Sequence, residues 1–486
     1  MPDNIPNVLP LLSSGIKGCD QILGGGFPSG SVYLIQGLAG SGKTTLACQI
    51  GFTQASAGKK VVIITLIAET HAKMLNHLRN FSFFDEQLIG GQLVFFSAYT
   101  NLARGGLRGL LEFISATLAE QQAEMLIIDG FRAVRDSQVS DLGLSEFMLS
   151  LNSLVSTVGC TTFLLSPTEG NVADSENTLV DGLIELSQHE KGMQLFREIK
   201  VFKIRGGKHM LGRHVFDIGS NGIAVYPRLE AVSRARPIAG AAGDLLRFGV
   251  PGWDTQTHGG VARGSTTELL GNPGIGKTLM GLHFLAEGLR LGEQCLIVGF
   301  YEAPAVLQEK ARNVGIDLAP YCNSGQLRII WNPPLELLVD QLLHQVLETI
   351  DAQGTVRLLL DGMDGLLDVI VHEGRSRMLL TAFVNELRLR GVTTFFTREL
   401  PCFGEVTPKT GTPSSVLFDN IMLMRYVDIG GVNHRQMAVL KLRQNGYDAA
   451  SHLMSISDQG ISIAGTVAEQ VAAHLSAVAR AAEAGE

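Results

Sequence analysis

The sequence repeats itself at one fixed spacing, and this repeat constrains the fold more than any other feature. Segment 11–45 matches segment 245–279, and matched residues such as Lys43 and Lys277 lie 234 positions apart (277 − 43). The positions of the first copy that are identical in the second include Leu11, Gly15, Gly18, Asp20, Gly25, Gly30, Gly37 and Lys43. Most of these are glycines, whose backbone requirements are specific, so the matches indicate a duplicated domain rather than chance.

The boundary between the two copies is predicted in segment 228–244, which is rich in Ala and Gly and has no helical or strand periodicity. We therefore predict a first domain over 1–232, a second over 233–464 and an alanine-rich tail over 465–486. The tail pattern indicates an amphipathic helix, either a solvated cap of the fold or a segment that binds a partner.

Composition limits the class of protein. The chain has 486 residues, 45% of them hydrophobic, and its 39 Lys and Arg against 47 Asp and Glu give a net charge of −8, which argues against a nucleic-acid ligand. The six cysteines form no CxxC pair, so neither a zinc site nor a disulfide framework is indicated. The start of the chain lacks a signal-peptide pattern and the apolar runs are too short to span a bilayer, so we expect a cytoplasmic protein without membrane contact.

The order of apolar runs predicts the fold class. Each copy gives a strand, a glycine-rich loop, a helix and then further strands, including 125–130 and 161–166 in the first copy and 357–362 and 393–397 in the second. These strands are continuous apolar runs, which is typical of a parallel sheet covered by helices on both faces. The prediction is an α/β fold with two tandem domains, each a mostly parallel sheet with helices on both faces.

Two loops carry the strongest chemical signal. GLAGSGKT (37–44) and GNPGIGKT (271–278) both fit GxxxxGK[ST] between a strand and a helix, a pattern whose backbone amides cradle phosphates. Lys43 and Lys277 would reach the β- and γ-phosphates of ATP. The nucleotide-binding candidates are Gly37, Gly40, Ser41, Gly42, Lys43, Thr44, Thr45, Gly271, Gly274, Ile275, Gly276, Lys277, Thr278 and Leu279.

Metal binding is predicted beside each loop. Asp129 and Asp361 each end an apolar strand, where a carboxylate would hold the water shell of Mg²⁺, while Thr44 and Thr278 would place a hydroxyl on the ion. The alternative interpretation of each aspartate is an ordinary helix N-cap after a strand.

Hydrolysis also needs a group that orients or deprotonates the attacking water. The candidates are Glu69 and Glu302, after the strand that follows each loop helix, and the alternative is an exposed loop acid. With the 234-residue offset, Glu302 matches Ala68 and Glu69 matches Ala303. Because neighbouring residues of an extended chain point to opposite sides, the two acids are not expected to serve identically.

Both halves resemble the KaiC family of RecA-superfamily ATPases, through the glycine lead-in, both phosphate loops, both strand-end aspartates and KIRGGKHMLGRHVFDI (203–218). The resemblance implies RecA-like P-loop NTPase domains that assemble as a homohexamer with ATP between subunits. It implies a Glu-Glu pair after the strand, in which the first Glu is the base. Glu69 retains the second acid of that pair and Glu302 the first.

The family's late K-x-R motif reaches the phosphates of the neighbouring subunit. Its matches here are Lys203, Arg205, His209, Lys441 and Arg443. Cations supplied by a neighbour would stabilise charge developing on the γ-phosphate. The alternative for these residues is a solvated edge strand.

Clock members of this family phosphorylate adjacent Ser and Thr residues in the second domain. Counting back from Asp419 places Ser415 at the Ser position and Val416 at the Thr position, with Ser414 as a substitute acceptor. A two-site phosphorylation cycle is therefore not expected at this position.

The hypothesis is an ATPase that acts at subunit interfaces, with Ser/Thr autokinase activity in the second half and a signalling or regulatory role through a protein partner. A RecA- or DnaB-type DNA-dependent ATPase is an alternative, although the net charge and 6% aromatic content argue against it. Another alternative is a signalling scaffold in which ATP only holds the assembly together.

Overall fold

The computed structural model describes residues 10–66, 71–137, 140–167, 175–233, 244–335, 337–400 and 414–483, with the side chains of 175–176, 373, 414–415 and 481–483 excepted. The chain divides into two compact units, Met1–Ala231 and Val232–Glu486. Among the described residues, no helix combines the length and the apolar character needed to cross a bilayer.

The elements of the first unit follow the predicted alternation. Its strands are β1 (Leu11–Leu12), β2 (Phe27–Pro28), β3 (Val32–Gly37), β4 (Val61–Thr65), β5 (Leu93–Ser97), β6 (Met125–Asp129), β7 (Thr161–Ser166), β8 (Gly182–Lys191), β9 (Gln194–Ile204), β10 (Arg213–Gly219) and β11 (Gly222–Tyr226). Its helices are α1 (Cys19–Ile22), α2 (Lys43–Ser56), α3 (His71–Leu78), α4 (Tyr99–Gln121), α5 (Arg132–Asp136), α6 (Asp141–Val158), α7 (Ser175–Leu179) and α8 (Leu229–Val232), with a 3₁₀ turn at Glu86–Leu88.

The second unit repeats this order. Its strands are β12 (Leu245–Leu246), β13 (Val261–Ala262), β14 (Thr266–Gly271), β15 (Cys295–Gly299), β16 (Leu327–Trp331), β17 (Arg357–Asp361), β18 (Thr393–Glu399), β19 (Asn420–Ile429), β20 (Val432–Lys441), β21 (His452–Ser457) and β22 (Gly460–Thr466). Its helices are α9 (Pro251–Gln256), α10 (Lys277–Arg290), α11 (Pro304–Arg312), α12 (Ala319–Ser324), α13 (Val339–Gln353), α14 (Met363–Asp368), α15 (Ser376–Leu389), α16 (Ser414–Leu417) and α17 (Val467–Glu483), with a 3₁₀ turn at Glu373–Arg375.

Within the described residues, each unit has a main sheet of nine strands built to one plan. The order is β11-β10-β9-β8-β3-β7-β6-β4-β5 in the first unit and β16-β15-β17-β18-β14-β19-β20-β21-β22 in the second. β3 runs parallel to β7 and β8, and β14 runs parallel to β18 and β19, whereas the last strands of each unit are antiparallel hairpins. The predicted α/β class, with two tandem RecA-like domains, is confirmed.

Each sheet is covered on both faces, which explains the continuous apolar strands. In β3, Tyr33 and Ile35 belong to one hydrophobic cluster, while Val32 and Leu34 belong to another on the opposite face. Helix α2 packs into the first cluster, and α4 and α6 pack into the second.

The strand order fixes where a site can form. β7 lies between the loop strand β3 and the aspartate strand β6, and β18 lies between β14 and β17. Because these strands are parallel, their carboxyl ends share one edge of the sheet, and their starting ends share the opposite edge.

One predicted strand is shorter than its sequence pattern. The sequence KKVVIITLI (59–67) predicts a strand, and β4 covers Val61–Thr65 of it, while Ile67 lies outside the described residues. Lys59 and Lys60 are half-buried polar residues at its entrance, and the fully buried part begins at Val61.

Candidate nucleotide-binding site

The two glycine loops adopt the same backbone geometry. Gly42 and Gly276 cap α2 and α10 with φ of 99° and 113°, in the left-handed region where a side chain would be strained. A Cβ on Gly40 or on Gly274 would meet nothing within 4 Å, so both loop tips face open space. The helix N-termini therefore present backbone amides to an accessible surface, which is the geometry that binds phosphate.

The predicted lysines lie across their own loops. Lys43 Nζ donates to the carbonyl oxygens of Gly37 at 2.7 Å and Leu38 at 2.9 Å. Lys277 Nζ donates to Gly271 at 2.9 Å and to Asn272 at 2.8 Å. Burial lowers the pKa of the Lys43 ammonium, and the nearby Asp129 carboxylate opposes that shift. Both ammonium groups thus sit at the loop, where phosphate oxygens would replace carbonyl oxygens as acceptors.

The threonine and aspartate pairs meet in both units although a strand separates their elements. Thr44 Oγ1 donates to Asp129 Oδ2 at 2.9 Å, and Thr278 Oγ1 donates to Asp361 Oδ2 at 3.0 Å. A hydroxyl beside a carboxylate is an all-oxygen donor set, which is the type that Mg²⁺ prefers.

The other predicted loop residues have buried or half-buried side chains. Ser41 and Ile275 occupy matched positions, and both side chains are fully buried rather than exposed at the loop surface. Thr45 and Leu279 are half-buried on the first turn of the loop helices. The backbone amides of these positions lie at the loop and the helix N-terminus, where a phosphate would bind.

A cavity of about 1090 Å³ lies beside the second loop. Its lining includes Lys277, Thr278, Glu302, Lys310 and Asp361. This volume suits a ligand of nucleotide size. Glu302, predicted as the water-activating acid, therefore shares one cavity with the loop lysine and the metal-binding candidates.

Glu302 has one paired and one unpaired carboxylate oxygen. Lys310 Nζ donates to Oε1, and the two side chains are 38% and 30% exposed, respectively. Oε2 is buried and has no hydrogen-bond partner among the residues that the structure describes. Glu69, the corresponding candidate of the first unit, lies outside the described residues.

Three residues of the second site were missed by the sequence reasoning. Thr397 Oγ1 donates to Asp361 Oδ1 at 2.6 Å and accepts from the amide of Gly362 at 2.8 Å. Lys310 and Arg398 also line the cavity. Thr397 is the last residue of the predicted strand 393–397, so a search of the ends of all predicted strands could have found it. Lys310 lies on helix α11 and had no such signal.

Electrostatics of the second site centre on Asp361. Burial raises the pKa of this carboxyl above its usual range, the hydroxyls of Thr397 and Thr278 oppose the shift, and Glu302 adds to it. A cation near Asp361 therefore stabilises the ionised form, and Lys310 acts in that direction.

The K-x-R residues lie away from the loop of their own unit. Lys203 Nζ and Arg205 donate to the carbonyl oxygen of Thr178, at 3.0 Å and 2.9 Å, just before β8 begins. Lys203 is level with Leu183 near the start of β8, so this pair lies at the edge opposite the phosphate loop.

The second unit repeats that placement. Lys441 Nζ donates to the carbonyl oxygen of Phe418 at 2.6 Å, and Arg443 lies 3.5 Å from Asp419. Both acceptors precede β19, again at the edge where the loop strand begins. His209 is half-buried, its Nε2 is without a partner among the described residues, and burial lowers its pKa.

The phospho-acceptor candidates lie at the same edge. Ser414 and Ser415 begin the short helix α16, which directly precedes β19. Their side chains lie outside the described residues.

Comparison with known proteins decides the family. The sequence model described as "ATPase: KaiC" matches residues 12–230 and again 246–467. The chain belongs to the KaiC family. The circadian clock oscillator protein KaiC of Parathermosynechococcus lividus is 26% identical over 469 residues, covering 94% of this chain and 85% of the relative. The circadian clock oscillator protein KaiC 1 of Synechocystis sp. is 25% identical over 457 residues, covering 92% and 87%.

Membership of the KaiC family makes the chain an ATP-binding ATPase of the KaiC type. The duplicated family match agrees with the two units, and the geometry of both loops fits this chemistry.

Proposed function

We propose that this KaiC-type protein hydrolyses ATP with Mg²⁺ at the interfaces of a homohexamer, each site combining the phosphate loop of one subunit with cations of its neighbour. The observation that carries the proposal is the position of Lys203, Arg205, Lys441 and Arg443 at the sheet edge opposite their own loops. Cations placed there serve a phosphate only if it belongs to another subunit. A ring of head-to-tail contacts joins the two edges repeatedly and closes on itself.

The residues beside the phosphate loop would have separate roles in hydrolysis. Loop amides and Lys277 would hold the β- and γ-phosphates, while Thr278 and Asp361 would hold Mg²⁺, which neutralises phosphate charge when bound. Glu302 would accept one proton from water as the water oxygen bonds to the γ-phosphorus. The bond to the bridging oxygen then breaks and its electron pair leaves with ADP.

The first site would work in the same way through Lys43, Thr44 and Asp129, with Glu69 as its candidate acid. The Thr44–Asp129 contact at 2.9 Å supports an equivalent metal position. Its arginine partner would be Arg205 of the neighbouring subunit.

Mixed assemblies test the shared site. Arg443→Ala and Glu302→Gln proteins are each expected to lose turnover at the second site. After the two are mixed and reassembled, about one quarter of random interfaces would combine the intact Glu302 of one chain with the intact Arg443 of the other. ADP release by the mixture should therefore exceed the mean of the two separate proteins. A mixture that only reaches that mean contradicts an interface site.

Autophosphorylation is a second candidate activity. Helix α16 places Ser414 and Ser415 at the edge opposite the loop of their own unit, so any transfer would come from the ATP of a neighbouring subunit. Transfer would form a bond from the serine oxygen to the γ-phosphorus, the hydroxyl proton would pass to Glu302 of the neighbouring subunit, and ADP would leave with the bridging electron pair.

The test of that activity uses γ-labelled ATP and phosphopeptide mapping. Label on Ser414 or Ser415 that disappears in the matching Ala variants would support the kinase activity. Steady ADP release without label at either serine leaves an ATPase only.

A further inference from the structure

The ion pair between Lys310 and Glu302 lies inside the nucleotide cavity rather than on an open surface. Both side chains line the cavity together with Lys277 and Asp361. An ordinary exposed ion pair contributes little to stability and needs no further explanation. This pair differs, because it fixes one oxygen of the predicted base and leaves the other buried and free of partners among the described residues.

The helix that carries Lys310 can hold this position. α11 begins at Pro304, two residues after Glu302, and buries Leu307 and Ala311 in the core. Side chains on a helix lean toward its N-terminus, so a long side chain near the end of α11 extends back toward Glu302. The core contacts of α11 therefore set where the ammonium group lies.

Charge explains why the acid needs such a partner. The Asp361 carboxylate lines the cavity, and a bound nucleotide triphosphate would add several negative charges. These charges repel the Glu302 carboxylate, so without a nearby cation the side chain would turn away from the cavity. Lys310 supplies that cation at Oε1.

The fold does not require a lysine at this place. Over this helix the two copies are 233 residues apart, because the buried Leu78 of α3 matches the buried Ala311 of α11. The first copy therefore has the exposed His77 in place of Lys310. Lys310 is therefore a feature of the second unit's sequence and not of the shared scaffold.

We propose that Lys310 is a positioning residue for hydrolysis in the second unit: it anchors Glu302 Oε1 and so holds the carboxylate at the cavity, where the attacking water would bind. This inference rests on the proposed role of Glu302. It follows the general arrangement in which a third group orients the base. Lys310 itself need not touch the nucleotide.

Steady-state ATP turnover of four full-length proteins tests it: Lys310→Met, Lys310→Arg, Glu302→Gln and the Lys310→Met/Glu302→Gln double variant. The rate of Glu302→Gln is subtracted from each rate to remove the contribution of the first unit. We expect Lys310→Met to lower the remaining kcat about tenfold, with KM for ATP changed less than about twofold. Lys310→Arg should retain a higher kcat than Lys310→Met, and the double variant should have the same turnover as Glu302→Gln.

Arg312→Met is the matched control. Arg312 lies on the same helix, in an exposed pair with Glu309 at 2.7 Å, and its loss should leave turnover unchanged. Three results would overturn the inference: unchanged kcat in Lys310→Met, an equal effect of Lys310→Met in the Glu302→Gln background, or a rise in KM that points to direct phosphate contact. If Glu302→Gln itself keeps full turnover, the proposed base is wrong, and the role of Lys310 falls with it.

Discussion

At the scale of single residues, the two loop lysines are the most direct test of nucleotide binding. Each donates to two loop carbonyl oxygens at 2.7–2.9 Å, so each ammonium is already held where phosphate oxygens would compete for it. A charge-assisted hydrogen bond of this kind contributes about 1.5–3 kcal/mol.

Lys43→Ala and Lys277→Ala should each weaken one ATP site by about tenfold to a hundredfold. Isothermal titration with ATP and Mg²⁺ should show two sites per chain in the parent protein and one strong site in each variant. Two undiminished sites in either variant would contradict the assignment of that loop.

Thr397 has no counterpart in the first unit. Thr397 of β18 pairs with Leu269 of β14, whereas Leu165 of β7 pairs with the equivalent Ile35 of β3. The Thr397 hydroxyl opposes the burial that raises the pKa of Asp361. Removing the donor should raise that pKa further, since the carboxylate would lose a hydrogen bond in a buried place.

Thr397→Val should therefore shift the acid limb of the ATPase pH profile to higher pH, because Asp361 must be ionised to hold Mg²⁺. As pH falls through the raised pKa, the variant should lose activity before the parent does. Thr394→Val, a buried change on the same strand away from the cavity, is the control. Identical acid limbs in the two variants and the parent would count against a metal role for Asp361.

At the scale of elements, the C-terminal helix α17 has a defined start. Thr466 Oγ1 accepts from the amide of Glu469 at 3.1 Å, and Glu469 Oε2 accepts from the amide of Thr466 at 2.8 Å. This reciprocal pair is a capping box, which satisfies donors that the first turn of a helix otherwise leaves open.

Glu469→Ala should destabilise the start of α17 by about 0.5–2 kcal/mol, with little effect on the rest of the second unit. Hydrogen exchange should become faster for the amides of the first turns of α17. Gln470→Ala, at an exposed neighbouring position, should leave exchange near that of the parent. Equal exchange rates in the two variants would contradict a stabilising cap.

At the scale of the whole molecule, the duplicated plan produces two loop sites per chain. In each unit, the Lys and Arg of the K-x-R motif lie at the opposite edge of the sheet from the loop. An assembly that pairs these edges would make both sites depend on a neighbour.

Size measurements in solution check that dependence. With ATP and Mg²⁺ the parent protein should run as a particle of six chains, and it should become smaller when nucleotide is removed. Arg205→Ala should weaken the ATP-dependent assembly, because it removes a cation from the proposed interface. If the particle has the same size with and without ATP, the result would argue against nucleotide at the interfaces.

The sequence alone determined the duplication, the α/β class and the two loops. Each of these features depends on residues that are close together in the sequence. Examples are the left-handed Gly42 and Gly276, the lysine that follows each of them, and the continuous apolar strands. The proximity of each threonine to its aspartate could also be predicted from the sequence, because a parallel sheet brings the carboxyl ends of its strands to one edge.

Only the tertiary structure decided which side chains surround the acids. Thr397 reaches Asp361 because β18 lies between β14 and β17, and the order of strands in a sheet is not written in any short segment. Lys310 pairs with Glu302 because core packing sets the orientation of α11. Such contacts depend on how elements that are distant in the sequence pack together. A short sequence motif reflects only the local backbone conformation of its own residues.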